Sequence, residues 1–212
     1  MPTSIQTPGR EFGRLRFEAV RGSTELPSAR QPRIFDHHSA RDFDNAFLSR
    51  ETLAAVASAT EDMEGKMPFR SAGALYPTHI FVARRISDDS IEYGYVDSPR
   101  RLICWYLATS AKSFSSLWID EWAGNAPAAF IIAADLSRIV GKYGQRGSRF
   151  AALEAGGVAL LLGAGASGLS LSSCRFGGYY DSSVLAELGL PSDVFVVADT
   201  LILGKPNGES AL

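Results

Sequence analysis
Apolar and polar positions recur along the chain with two different periods. In "FLSRETLAAVASAT" (47–60), Leu53, Val56 and Ala57 repeat at helical spacing behind Ser49 as N-cap, with Glu51 in the first turn, which predicts a helix. "THIFVAR" (78–84) and "IEYGYVD" (91–97) are short β-branched and aromatic runs separated by "RISDDS", and they read as a hairpin. "PAAFIIAADL" (127–136) and "DVFVVADTLILG" (193–204) are continuous apolar runs, the pattern of strands buried on both faces. Helices are predicted around 107–118, from Ser148 to about Ser167, and over "SSVLAELG" with Asp181 as N-cap and Gly189 as stop.

The helix "SRFAALEAGGVALLLGAGAS" is apolar enough to raise a membrane span. It carries Glu154, and Gly156, Gly157, Gly163 and Gly165 each cost about 1 kcal/mol of helix propensity relative to Ala. It therefore reads as a buried helix whose glycines allow close packing or contact with a flat ligand. The order of elements predicts an α+β layer rather than strict βαβ alternation. Residues 1–33, rich in Pro, Ser, Gly and Arg and without a sustained period, read as an extended or partly disordered arm, and 34–212 as one domain.

Charge and cysteine content narrow the chemistry. A formal net charge of -2 from 21 basic and 23 acidic residues supplies no field for nucleic acid. No signal-like apolar stretch stands in the first thirty residues, so a cytoplasmic protein that neither spans nor binds a membrane is expected. Two cysteines, Cys104 and Cys174, spell neither a disulfide framework nor a zinc knuckle, and His37, His38 and His79 are read as structural or solvent-facing, with no metal. Walker, Rossmann and nucleophile-elbow motifs are absent. "KYGQRGSR" (142–149) reads as a Gly-punctuated loop in which Lys142 and Tyr143 are both capable of proton transfer.

In order and spacing, "SAGALYP" (71–77), "KYGQRGSR", "LEAGG" (153–157), "FGGYYD" (176–181) and the terminal "LGKP" resemble the nitroreductase superfamily. More narrowly the chain resembles its SagB/McbC-type branch of azoline dehydrogenases, over about residues 38–206. The resemblance implies a mixed, mainly antiparallel sheet flanked by helices, a homodimer, and FMN at the subunit interface. It places Ser39 and Arg41 ("HSAR", where His38 replaces the family's first Arg), Ser71, Ala72, Gly73, Gly177, Gly178 and Lys205 at the cofactor. Lys142 and Tyr143 match the branch's catalytic pair, which joins in function only if "KYGQRG" is a distorted turn. Where the family carries a Gln-Asn pair after "EAG", this chain has Leu160 and Leu161.

The implied reaction is oxidation of a thiazoline or oxazoline in a peptide or carrier-bound substrate, with dioxygen as final acceptor and a cyclodehydratase or peptide synthetase as possible partner. Alternatives are an NAD(P)H-dependent nitro or quinone reductase, another oxidative tailoring step, or a flavin-free scaffold subunit.

Overall fold
The computed structural model describes residues 22–27, 39–61 and 67–207. One seven-stranded sheet organises them, in the order β1-β4-β3-β2-β5-β7-β6. Its strands are β1 (Gly22–Glu25), β2 (Thr78–Ser87), β3 (Ser90–Asp97), β4 (Leu102–Ser110), β5 (Ala128–Asp135), β6 (Ser172–Arg175) and β7 (Phe195–Gly204). Every named strand pair is antiparallel, and a single parallel bridge joins Ser39 to Ser173. Six helices complete the fold: α1 (Arg50–Ala57), α2 (Ala111–Ser115), α3 (Glu121–Gly124), α4 (Ser137–Tyr143), α5 (Arg146–Gly168) and α6 (Asp181–Glu187).

Strand alternation divides the core. On β2, Ile80 and Val82 point to one face with Leu53 and Val56 of α1 and Val158 and Leu162 of α5; Phe81 and Ala83 point to the other with Phe114, Ala123 and Val184. α1 and α5 thus cover one face, and α2, α3 and α6 the other. α5 is long and apolar enough to cross a bilayer, with a mean hydropathy of 1.5 over its apolar window, but half of that window is buried inside the molecule. Its glycines serve packing at one point: a methyl on Gly165 would lie 2.6 Å from the Val56 carbonyl oxygen, so α1 and α5 touch backbone to backbone there.

The expected helix at 47–60 is present with Ser49 as N-cap, its Oγ accepting from Thr52 N–H. The helix expected around 107–118 is present only over Ala111–Ser115. Residues 107–110 complete β4, held by the register Tyr93↔Leu107 to Ser90↔Ser110, and Ser110 then caps a five-residue α2. Cross-strand pairing with β3 decides "LATS" for strand, where local propensity is neutral. Gly22–Glu25, inside the arm, pairs with β4, and Trp105 Nε1–H donates to Thr24 Oγ1 at 3.1 Å. Apart from Leu26 and Pro27 the remainder of the arm lies outside the described residues, and so do His37 and His38. Asp181 is the first residue inside α6 rather than its cap; Tyr180 holds the cap position, and the carboxylate instead faces the positive end of the helix dipole.

His79 is buried on β2, sharing a 3.2 Å hydrogen bond with Tyr95 and lying edge-on to Phe195. Burial, with Arg138 nearby, depresses its pKa from 6.5 to about 4, against a smaller opposing pull from Asp135. The unfolded chain therefore binds a proton that the folded one refuses. The stability this group contributes is full above pH 6.5 and is lost as pH falls toward about 4, by about 3 kcal/mol in all. Denaturant titrations should show that decline in the wild type and a flatter profile between those pH values in His79→Gln. A second measurement separates the glycines: Gly165→Ala should lose about 1–3 kcal/mol by overpacking, whereas Gly141→Ala, with no atom within 4 Å of the added methyl, should gain about 0.5–1 kcal/mol.

Candidate active site
The antiparallel pairing of β2 with β5 puts the start of one strand beside the end of the other: Thr78 faces Ala134, and Asp135 N–H donates to Pro77 O at 2.8 Å. The segment leading into β2 must therefore meet the segment leaving β5. The first of these is "SAGALYP", and the second is α4, ending in Lys142 and Tyr143. Asp135 starts that helix, its Oδ1 accepting from Ser137 N–H at 2.9 Å and from Ser137 Oγ–H at 2.6 Å.

"SAGALYP" is a tight 3-10 turn. Gly73 is left-handed at φ 63°, and Ala74 (φ 55°) and Tyr76 (φ 45°) also hold positive φ without being glycine. Tyr76 N–H donates to Ser71 Oγ at 2.8 Å, and Tyr76 lies edge-on to Phe69. Ser71 is thus engaged in shaping the turn. A methyl placed on Gly73 would fall 2.7 Å from Lys142 Nζ and 2.7 Å from Tyr143 Oη. The two side chains, some seventy positions away in sequence, converge on that one backbone.

The "KYGQRGSR" segment is not the loop expected from sequence. Lys142 and Tyr143 are the last two residues of α4; only Gly144 and Gln145 form a turn, and α5 begins at Arg146. Adjacent helical residues converge here because the helix stops at once: Gly144 adopts φ 58° and ψ -145°. Lys142 Nζ lies 5.5 Å from the Tyr143 ring centroid, and Tyr143 packs edge-on to Phe150. Ala72, Leu75 and Ala198 close the apolar side of this cluster.

A second group gathers at the β6–β7 end of the sheet. Ser39 bridges Ser173, Ala40 N–H donates to Ser173 O at 3.1 Å, and Asp44 N–H donates to Lys205 O at 3.0 Å. Asn207 Nδ2 donates to Asp42 at 3.0 Å. Ser39, Arg41 and Lys205, all solvent-exposed, are brought to one edge, where two cations and a hydroxyl suit a phosphate. Gly177 faces open space, whereas Gly178 is held small by Phe176, whose ring would lie 2.3 Å from an added methyl. Phe176 also meets Trp122 edge-on at 4.7 Å. Among the described residues no cluster of three His, Cys, Asp or Glu side chains forms a metal site.

The chemistry of these donors fits FMN: an anion-accepting edge at one end, and at the other a turn kept free of side chains beside a Lys and a Tyr. Sequence reasoning missed two long-range polar contacts. Glu154, buried on α5, accepts from Thr78 Oγ1–H at 2.6 Å and Thr78 N–H at 3.4 Å, locking α5 to the exit of the turn, while its Oε2 is buried without a partner. A Glu within an apolar helix was the available signal. Arg175 forms an ion pair with Asp199, and no spacing rule pointed to it. Gly73→Ala should fold with a loss of about 1–2 kcal/mol from the left-handed backbone and should push Lys142 and Tyr143 outward; thermal melts and loss of flavin-dependent turnover would register both effects.

Comparison with known proteins places the fold and the family. A nitroreductase-family protein of Methanocaldococcus jannaschii is 25% identical over 170 residues, covering 76% of this chain and 86% of its own. The fold is shared with the E. coli microcin synthetase McbBCD complex with truncated pro-MccB17 bound, at 18% identity and a TM-score of 0.68 over 81% of this chain and 71% of that one. It is shared as well with a nitroreductase-type protein of Desulfovibrio desulfuricans in complex with FMN, at 14% identity and a TM-score of 0.58 over 84% of this chain and 87% of that one. The model of the nitroreductase family matches residues 34–205, and the chain belongs to that family.

Proposed function
We propose that this chain is an FMN-dependent azoline dehydrogenase, aromatising a thiazoline or oxazoline ring in a peptide or carrier-bound substrate. The observation that carries the reading is the convergence of Lys142 and Tyr143 on Gly73. Ser39, Arg41 and Lys205 would hold the cofactor phosphate, and Ala72, Gly73 and Gly177 would let the ring system approach backbone; Ser71 and Gly178 would contribute by shaping the turn and seating Phe176. FMN held there would supply the two-electron oxidation of the ring, with dioxygen as the final acceptor.

The protein's own task is the proton. Aromatisation removes a hydride from one ring carbon and a proton from its neighbour, and the proton needs a base. Tyr143 Oη accepts it, with Lys142 Nζ, 5.5 Å from the ring centroid, as its electrostatic partner. The small-residue turn contributes orientation, which converts a bimolecular encounter into a held geometry.

A second copy completes the site in this reading. Leu153 and Leu160 of α5 are 66% and 56% exposed, flanking Gly156 and Gly157 in one apolar stripe. Such a stripe suits the same stripe on a twofold mate. The E. coli synthetase complex, with its truncated pro-peptide, supports delivery of the substrate by a cyclodehydratase-type or peptide synthetase partner in the cytoplasm.

Purified protein incubated with an azoline peptide, FMN and air should yield the azole, two mass units lighter. Lys142→Ala and Tyr143→Phe should each keep FMN and lose about 10²–10⁴-fold in rate, the range of a general base. Wild-type rates in both variants would refute the base, and rapid flavin bleaching by NADPH without azoline turnover would identify a reductase instead. Leu153→Asp with Leu160→Asp should convert a dimer to a monomer in light scattering.

A further inference from the structure
Arg175 and Asp199 form an ion pair between the neighbouring strands β6 and β7 that the proposed proton transfer does not use. Arg175 ends β6, two residues after Ser173, the bridge partner of Ser39, and two residues before Gly177. Asp199 on β7 directly follows Ala198, which packs against the same small cluster (Ala134, Ile139, Ala151) as Ala72 and Tyr143. The pair thus occupies the stretch between the anion-accepting edge and the Lys142–Tyr143 end. Its exposure is uneven: the Arg175 side chain is 52% exposed and that of Asp199 only 12%, with Asp199 Oδ1 also accepting from Thr200 N–H at 2.9 Å. The ground around it is cleared. A methyl on Gly156 of α5 would lie 3.6 Å from the guanidinium, and one on Gly177 would meet nothing within 4 Å.

An ion pair whose guanidinium is half in solvent contributes modestly to folding, and these open positions are not required by it. We infer that the Arg175–Asp199 pair lines the flavin site and sets the affinity and reduction potential of the cofactor, an inference that rests on the FMN reading above. The argument is electrostatic. Two-electron reduction leaves negative charge on the ring system; a guanidinium alongside favours that form and a carboxylate opposes it. Paired, the two nearly cancel. Removing either one exposes the other, so the two single substitutions must act with opposite sign, whereas a purely structural disturbance would act alike in both.

The test uses the full chain loaded with FMN, with potentials from equilibration against reference dyes and FMN affinity from fluorescence quenching. Arg175→Gln should lower the potential, shifting the reduced-to-oxidised ratio at least tenfold, about 30 mV for a two-electron couple, and weaken FMN binding at least fivefold. Asp199→Asn should raise the potential by a similar amount without weakening FMN. Arg175→Lys and the doubly neutral variant, Arg175→Gln with Asp199→Asn, should lie near wild type and guard against misfolding in a single variant. A wild type that binds FMN with unshifted or same-sign changes in the two single variants overturns the inference alone. A wild type that takes up no flavin overturns it together with the FMN reading.

Discussion
The site depends on a missing side chain. Gly73 holds a left-handed backbone where any Cβ would meet both Lys142 Nζ and Tyr143 Oη at 2.7 Å. Two constraints coincide at that residue: the turn needs positive φ, and the space above it belongs to two other side chains. Either alone would favour glycine; together they leave no alternative that keeps the geometry. The small residues ahead of β2 are therefore not a loose connection. They are the floor of the place where a lysine and a tyrosine meet.

That meeting is a consequence of the sheet. β2 and β5 are antiparallel neighbours, so the entry to one and the exit from the other share an edge, and the Pro77 carbonyl accepting from Asp135 N–H fixes their offset. From Asp135 the chain turns directly into α4, which carries Lys142 and Tyr143 back over the turn before Gly144 stops it. Glu154 closes the frame from the third side by holding Thr78 to α5. Three elements far apart in sequence are tied together by few polar contacts at one corner, while apolar burial along β2, β5 and β7 makes that corner rigid. The Arg175–Asp199 pair sits farther along β7, on the way from this corner to Lys205.

Much of this was legible in the sequence. The central strands and α5 announced themselves because burial on both faces demands continuous apolar runs, and Ser49 marked α1 by its capping chemistry. Three strands escaped, one of them β1, inside the stretch read as an arm. β4 was hidden because "LATSAKSF" is locally neutral between strand and helix, and only pairing with β3 decides it; β6 is four residues long, with its burial confined to two of them. The candidate residues were found through motif resemblance, but their arrangement was not. Reading "KYGQRG" as a loop missed that a helix ending abruptly presents two adjacent side chains to one point. Long-range pairs such as Glu154 with Thr78 and Arg175 with Asp199 leave no periodic trace, since each partner lies on a different element.

The turn also carries a cost that the rest of the molecule must offset. Ala74 and Tyr76 sit at φ 55° and 45° with a Cβ against the following carbonyl, a penalty of about 1–2 kcal/mol per residue. Within the turn itself the compensation is slight: Ser71 Oγ accepts from Tyr76 N–H, and Phe69 meets the Tyr76 ring edge-on. The larger share comes from either flank, where Pro77 is tied to β5 and Thr78 to the buried Glu154. A relaxed turn would be easier to fold, but it would swing Gly73 away from Lys142 and Tyr143. The strain is local to the residues that bring those two groups together, and it is anchored by β5, buried along its whole length, and by the buried Glu154 of α5, the placement expected when backbone geometry serves chemistry rather than stability.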